Sequence, residues 1–174
     1  MAQTHVDLGL VLLRAGKIQG ASTRLQRALA IQSNHAAAHS YLAQALFRMG
    51  RTQEAIDHYE AARAIQPGDA STLKNLAWIL ATCPQAYFRN GVRAVELGEQ
   101  ADRLSGSSNP SILGTLAAAY AETQLFDEAL STARKALHLA SAQTNNAEAD
   151  TLRAQIGLYQ SGSPFRDTAP QVMQ

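Results

Sequence analysis

Residues able to do chemistry are thinly spread through this 174-residue sequence. His35 and His39 lie four apart, a spacing that can hold a metal ion on one helix face. However, His35 falls in a turn and the spacing brings no third ligand near. Gly9 with Gly16-Lys17 superficially resembles a phosphate loop. Six residues separate its glycines and Ile18 follows the lysine, so the four-residue gap and the hydroxyl residue of that motif are missing. Cys83 precedes a proline with no histidine placed to activate it, and reads as an inert loop thiol. His58 and His138 have no acidic or nucleophilic partner set by spacing. Asp127-Glu128 and Glu148/Asp150 fall at helix starts, where carboxylates favour the helix dipole. No catalytic, metal-ligating or cofactor-holding constellation emerges. What remains is binding chemistry. The aromatic residues Tyr41, Phe47 and Trp78 and the cations Arg14, Arg48 and Lys74 are the residue types that anchor a bound segment.

Composition narrows the class. The chain is 46% apolar, 17% charged and 6% aromatic, and 15 Lys+Arg against 14 Asp+Glu leave a formal charge of +1. A dedicated nucleic-acid binder would need a concentrated basic surface, so none is expected. One cysteine rules out an intrachain disulfide framework. No apolar run approaches the roughly 20 residues that cross a bilayer, so no membrane insertion is expected. The start, Met-Ala-Gln-Thr-His-Val-Asp, lacks a basic segment leading into an apolar one. A cytoplasmic location is the expectation, unless an upstream part has been removed.

The elements that position these residues recur. Residues 2–35 laid over 36–69, each 34 long, align Leu8-Gly9 with Leu42-Ala43 and Leu12 with Leu46. The same register matches Gly16 with Gly50, Ala21 with Ala55, Leu25 with Tyr59 and Ala28 with Ala62. A third unit from Ala70 carries Leu76-Ala77 and Leu80, then Ala94, Gly98 and Ala101 after about five extra residues. A fourth from Pro110 carries Leu116-Ala117, Ala129, Ala133 and Ala136. In each unit large apolar residues lie three or four places from the small ones, which makes one stripe on a helix. Two stripes separated by a glycine describe two antiparallel helices and a tight turn.

This pattern resembles the tetratricopeptide repeat family from residue 2 to about 143. The motifs carrying the resemblance are Leu-Gly/Ala, the mid-repeat glycine, Glu54-Ala55, Glu128-Ala129, Ala62 and Pro67. The departures are His5 where the family often has Trp, Ser33 where it often has Pro, and Gln124 in place of the turn glycine. The resemblance implies an all-α superhelix of about four helix-turn-helix repeats (2–35, 36–69, 70–109 and 110–143) with a capping helix over 144–160 and a flexible tail over 161–174. A segment around 83–91 interrupts the third repeat. Pro84 must stop the preceding helix by Cys83, and Asn90-Gly91 restarts the next. Tyr87 and Phe88 are expected to pack back onto the repeat, and Ser163 to Arg166 to tuck against the cap. On the cap, Leu152, Ile156 and Tyr159 share a face, while Glu148, Asp150, Arg153 and Gln155 are expected in water. The Leu76–Pro84 run and the Leu158–Arg166 ending look similar to the C-terminal repeats of large bacterial tetratricopeptide proteins, some fused to membrane glycosyltransferases.

Family geometry turns fixed places of each repeat inward. The implied groove presents Val6, Asp7, Leu10 and Arg14, then Tyr41, Gln44, Phe47 and Arg48, then Lys74, Asn75, Trp78 and Thr82, with Ser111, Gly114 and Thr115 from the fourth repeat. Phe47 and Trp78 equally suit a purely structural role between repeats. The family's carboxylate clamp is absent, because Val6, Leu10, Tyr41, Ser71 and Asn75 occupy its positions. The expected function is a non-enzymatic module that binds a protein or peptide partner, with an acidic segment facing the cations. Alternatives are a substrate-recruiting or regulatory segment of a larger enzyme such as a bacterial glycosyltransferase, and a homodimer through the first helix. That helix distributes Val6, Leu8, Leu10, Val11, Leu12 and Leu13 nearly all round. It reads as the cut edge of a longer array, as a merely greasy edge, or as a self-association surface.

Overall fold

The computed structural model describes residues 1–168. These residues form helices, turns and one short single-turn segment, in two compact units: residues 1–72 and residues 73–168.

The first unit holds α1 (Ala2–Arg14), α2 (Ile18–Ile31), α3 (Ala36–Arg48), α4 (Thr52–Ile65) and the opening of α5 (Ala70–Thr82). Its two hairpin turns are alike. Gly16 and Gly50 adopt φ of +73° and +77°, a left-handed conformation that costs glycine nothing sterically. The chain then folds back so that Lys17 N–H donates to Leu12 O at 2.9 Å and Arg51 N–H to Leu46 O at 2.9 Å. Carbonyls left unpaired at each helix end are thereby satisfied. The repeating small residues lie at the helix contacts: Gly9, Ala21, Ala28, Ala43, Ala55 and Ala62 are buried. A Cβ on Gly9 would stand 2.7 Å from Leu25 Cγ, so the α1–α2 approach depends on having none. Asp69 starts α5 by accepting from the N–H groups of Ser71 and Thr72, at 3.2 and 3.1 Å.

The second unit continues α5 into α6 (Gly91–Leu104), α7 (Pro110–Glu122), α8 (Phe126–Ala142) and α9 (Asn146–Gln160). α5 ends at Thr82, just ahead of Pro84, and the inserted segment makes one turn at Ala86–Phe88. Asn90 closes that excursion: its N–H donates to Leu80 O at 2.8 Å, and its side chain caps α6 by accepting from Arg93 N–H at 3.1 Å. Tyr87 departs from expectation. It is 79% exposed and stacks on Phe88 with ring centroids 4.3 Å apart, because the short turn points it away from the helices. Asn109 caps α7 with Pro110 in the first turn, where the missing N–H costs nothing. At the α7–α8 turn Gln124 takes φ of +65°, the conformation glycine holds in the first unit.

α9 closes this unit. Leu152 and Ala149 pack with Leu113, Ala136 and Ala140, while Tyr159 packs with Ala117, Ala121, Ala129 and Ala133. Gln155, expected in water, is 1% exposed. The segment expected to fray is also folded as far as it is described. Gly162 turns the chain with φ of +67°, and residues 163–168 run back across the unit, with Phe165 packed against the Tyr159 cluster. Residues 169–174 of the expected flexible tail lie outside the described residues.

Candidate functional site

In the first unit, the candidate residues lie on α1 and α3. Val6 is 2% exposed, because it shares a buried stripe with Ala2, Gly9 and Leu13, and it is withdrawn from the candidate face. Asp7 is exposed and accepts from Gln3 Nε2 at 2.7 Å. Leu10 is half-buried and Arg14 exposed. On α3, Tyr41 and Phe47 are half-buried, Gln44 is exposed, and the exposed Arg48 donates to Leu13 O at 3.3 Å.

The histidines of this unit are engaged elsewhere. His35 caps α3, its Nδ1 accepting from Ala38 N–H at 3.4 Å. His39 places Nε2 3.0 Å from Ser33 O and Nδ1 2.8 Å from His58 Nδ1. A carbonyl can only accept, so Nε2 of His39 carries its proton; in the neutral ring Nδ1 is then the acceptor and His58 the donor. Burial, and then the nearby His39, hold the His58 imidazole below its ordinary value.

In the second unit, α5, α7 and α9 enclose an open hollow of about 220 Å³. Lys74, Asn75 and Trp78 line it from α5, Thr115 from α7, and Glu148 and Gln155 from α9. Gly114 lets α9 come close, since a Cβ there would lie 3.1 Å from Leu152 Cδ2. Burial pushes the Lys74 ammonium below its usual range, and Glu148 partly restores it. Neither a hydrogen bond nor a close ion pair holds Lys74 among the described residues. Gln155 Oε1 is buried with no hydrogen-bond partner. An acceptor stripped of water without a replacement costs about 1–3 kcal/mol. The hollow is smaller than the roughly 300–1,000 Å³ of small-molecule sites.

The C-terminal end of α5 presents a different surface. Phe165 packs against Trp78 with ring centroids 5.6 Å apart and a 43° tilt. Trp78 Nε1 donates to Asp167 Oδ2 at 2.7 Å, and Asp167 N–H donates to Thr82 O at 3.0 Å. Arg166 reaches Glu122 Oε2 at 2.6 Å, as an ion pair rather than an aligned hydrogen bond, and Ala81 O at 3.4 Å. Glu122 also accepts from Arg89 Nε at 2.9 Å. Thr82 is fully buried, its hydroxyl donating to Trp78 O at 2.7 Å, so it leaves the set of available groove residues. Of the candidates from the third repeat, Lys74, Asn75 and Trp78 meet in the hollow. Gln155 and Glu148 were missed. Carrying the 34-residue register one step past residue 143 puts them at the places that face inward in the other repeats.

Within each unit the helices pair as the hairpins of a repeat fold. Residues 6–70 match the sequence model of the tetratricopeptide repeat family. Solved structures extend the likeness in fold. A MamA structure is 22% identical over 83% of this chain and 81% of its own, with a TM-score of 0.68. TTC0263 of Thermus thermophilus is 16% identical over 93% and 98%, with a TM-score of 0.66. PilF of Pseudomonas aeruginosa is 18% identical over 90% and 75%, with a TM-score of 0.65. No curated protein sequence matches the chain. Residues 6–70 thus carry a tetratricopeptide repeat sequence, and the described residues share the fold of a solved tetratricopeptide-repeat structure.

Proposed function

We propose that the protein is a non-enzymatic binding module that holds a polypeptide segment of a partner in the α5–α7–α9 hollow. The observation that carries this reading is the hollow itself, where Lys74, held by no hydrogen bond or close ion pair, stands with Trp78 and with Gln155, whose buried Oε1 has no hydrogen-bond partner. A main-chain N–H of the partner reaches Gln155 Oε1 once that side chain turns toward the hollow. An acidic side chain of the partner meets Lys74, with Glu148 opposite to discriminate against a second carboxylate. The apolar face of Trp78 supplies contact area.

Panning a random dodecapeptide display library on the intact chain tests this. Selected peptides are expected to carry Asp or Glu. Their affinity should fall about tenfold or more in Asn75→Trp, which fills the hollow, and in Lys74→Glu, which reverses its charge. Peptides that bind both variants as tightly as the parent chain would rule the hollow out.

A further inference from the structure

We propose that Ser163–Thr168 is a resident occupant of a second segment-binding surface, formed by Trp78, Thr82 and Glu122, and that the external ligand of this surface is an extended segment in which an aromatic residue is followed by Arg and Asp. The inference rests on the reading that the inner face of this unit takes partner segments, and it adds which sequence is taken at this end and how access is controlled.

The contacts have the form of peptide recognition rather than of core packing. Residues 163–168 contain no helix or strand, and the segment turns at its end, where Thr168 N–H donates to Arg166 O at 3.1 Å. Three consecutive side chains each meet a dedicated receiver. The Phe165 ring lies on the Trp78 indole, Arg166 meets the Glu122 carboxylate at 2.6 Å, and Asp167 accepts the indole N–H at 2.7 Å. The main chain takes part as well, with Asp167 N–H on the Thr82 carbonyl, one of those a helix end leaves unpaired. Glu122 is held for this task from its other side by Arg89 of the inserted segment, which also donates to the carbonyls of Cys83 and Pro84 at 2.9 Å each. The insertion thus fixes one wall of the receptor.

Short tethering sets the regulation. The segment leaves α9 through the turn at Gly162, so its local concentration is in the millimolar range expected for short linkers. An incoming segment of the same chemistry must outcompete it. Its apparent affinity is reduced by the fraction of time the surface is closed. Release would also uncover one side of Trp78, whose other contacts border the hollow.

The test uses the full chain and a fluorescein-labelled peptide with the sequence of residues 163–168, Ser-Pro-Phe-Arg-Asp-Thr. Fluorescence polarisation is read against the parent chain and against Phe165→Ala/Arg166→Ala/Asp167→Ala, which removes the three resident side chains while leaving Trp78 and Glu122 in place. The variant is expected to bind the peptide at least about tenfold more tightly than the parent. Adding Glu122→Gln should weaken that binding again, and a peptide with Ala for Phe should not bind. Trp78, the only tryptophan, reports independently: its emission should shift red in the variant and return on titration with peptide. Equal peptide binding by parent and variant, or none by a variant whose helical circular dichroism is intact, overturns the proposal. If the triple variant loses its helical signal, Arg166→Ala alone is measured by the same criteria. The same titration is run in Lys74→Glu, which disables the hollow: binding that survives this change belongs to the Trp78–Glu122 surface and binding lost with it overturns the proposal, so failure here is separable from failure of the panning experiment.

Discussion

α1 and α7 are the same kind of helix placed in different company. Both span 13 residues and open a hairpin, and both are rich in apolar residues. Yet in α1 Leu8 and Val11 are 39% and 60% exposed, whereas in α7 every residue from Ile112 to Ala119 is buried. The difference lies in their neighbours: α1 packs on α2 and α3, while α7 packs on α6, α8 and α9. In a repeat array each helix covers only the adjacent ones, so burial belongs to the position in the stack and not to the helix sequence. α7 can therefore carry Thr115 and Gly114 to the edge of the hollow while most of its remaining surface is covered.

Three measurements would break or sharpen that contrast. The largest effect is expected from Leu113→Ala, which empties a site 2% exposed in the α7–α9 cluster and should cost about 2–5 kcal/mol in urea unfolding. Val11→Ala on α1 should change stability by less than about 0.5 kcal/mol. A Val11 cost comparable to that of Leu113 would mean that α1 is covered in solution, and the contrast would disappear. A smaller effect comes from the turns. Gln124 occupies at the end of α7 the left-handed conformation that Gly16 occupies at the end of α1. Gln124→Gly should therefore stabilise the chain by about 1 kcal/mol, seen as a raised Tm. An unchanged or lowered Tm would show that the Gln124 side chain offsets its backbone strain.

The smallest effect is a pH dependence confined to the first unit. His58 faces His39 of α3 and has Arg51, Glu54 and Asp57 around it on or beside its own helix; burial is the main cause of its lowered pKa. A histidine lowered in the folded state takes up protons more readily when unfolded. Its contribution is therefore complete above the ordinary value of 6.5 and is lost as pH falls through the window beneath it. Tm should fall between pH 7 and pH values well under 6.5, and His58→Gln should flatten part of that slope. If the slope is the same with and without His58, the buried imidazole is not its source.

Much of this was readable before folding. Gly16 and Gly50 declare turns because few other residues accept positive φ, and the alternation of Ala21, Leu25 and Ala28 declares a packed stripe. Pro84 and Asn90 bracket the insertion by their own backbone chemistry. The binding face was readable only in part. The register picks out Lys74 and Asn75, which line the hollow, but Val6 and Thr82 carry the same register and are buried. Gln155 was misjudged because a polar residue on a terminal helix reads as solvent-facing until that helix is given a neighbour. The pairing of Trp78 with Asp167 spans 89 residues and has no local signature at all.

By itself the sequence determined the period, the hairpins, the turns and the absence of any motif with the spacing catalysis requires, because each depends on contacts within a few residues or on conformational limits of single ones. Only the tertiary structure decided which polar groups lose water without gaining a partner, and that Phe165 and Asp167 meet Trp78. Desolvation and long-range pairing depend on what stands opposite a residue, and one residue's place in the chain does not state what its distant neighbours will be.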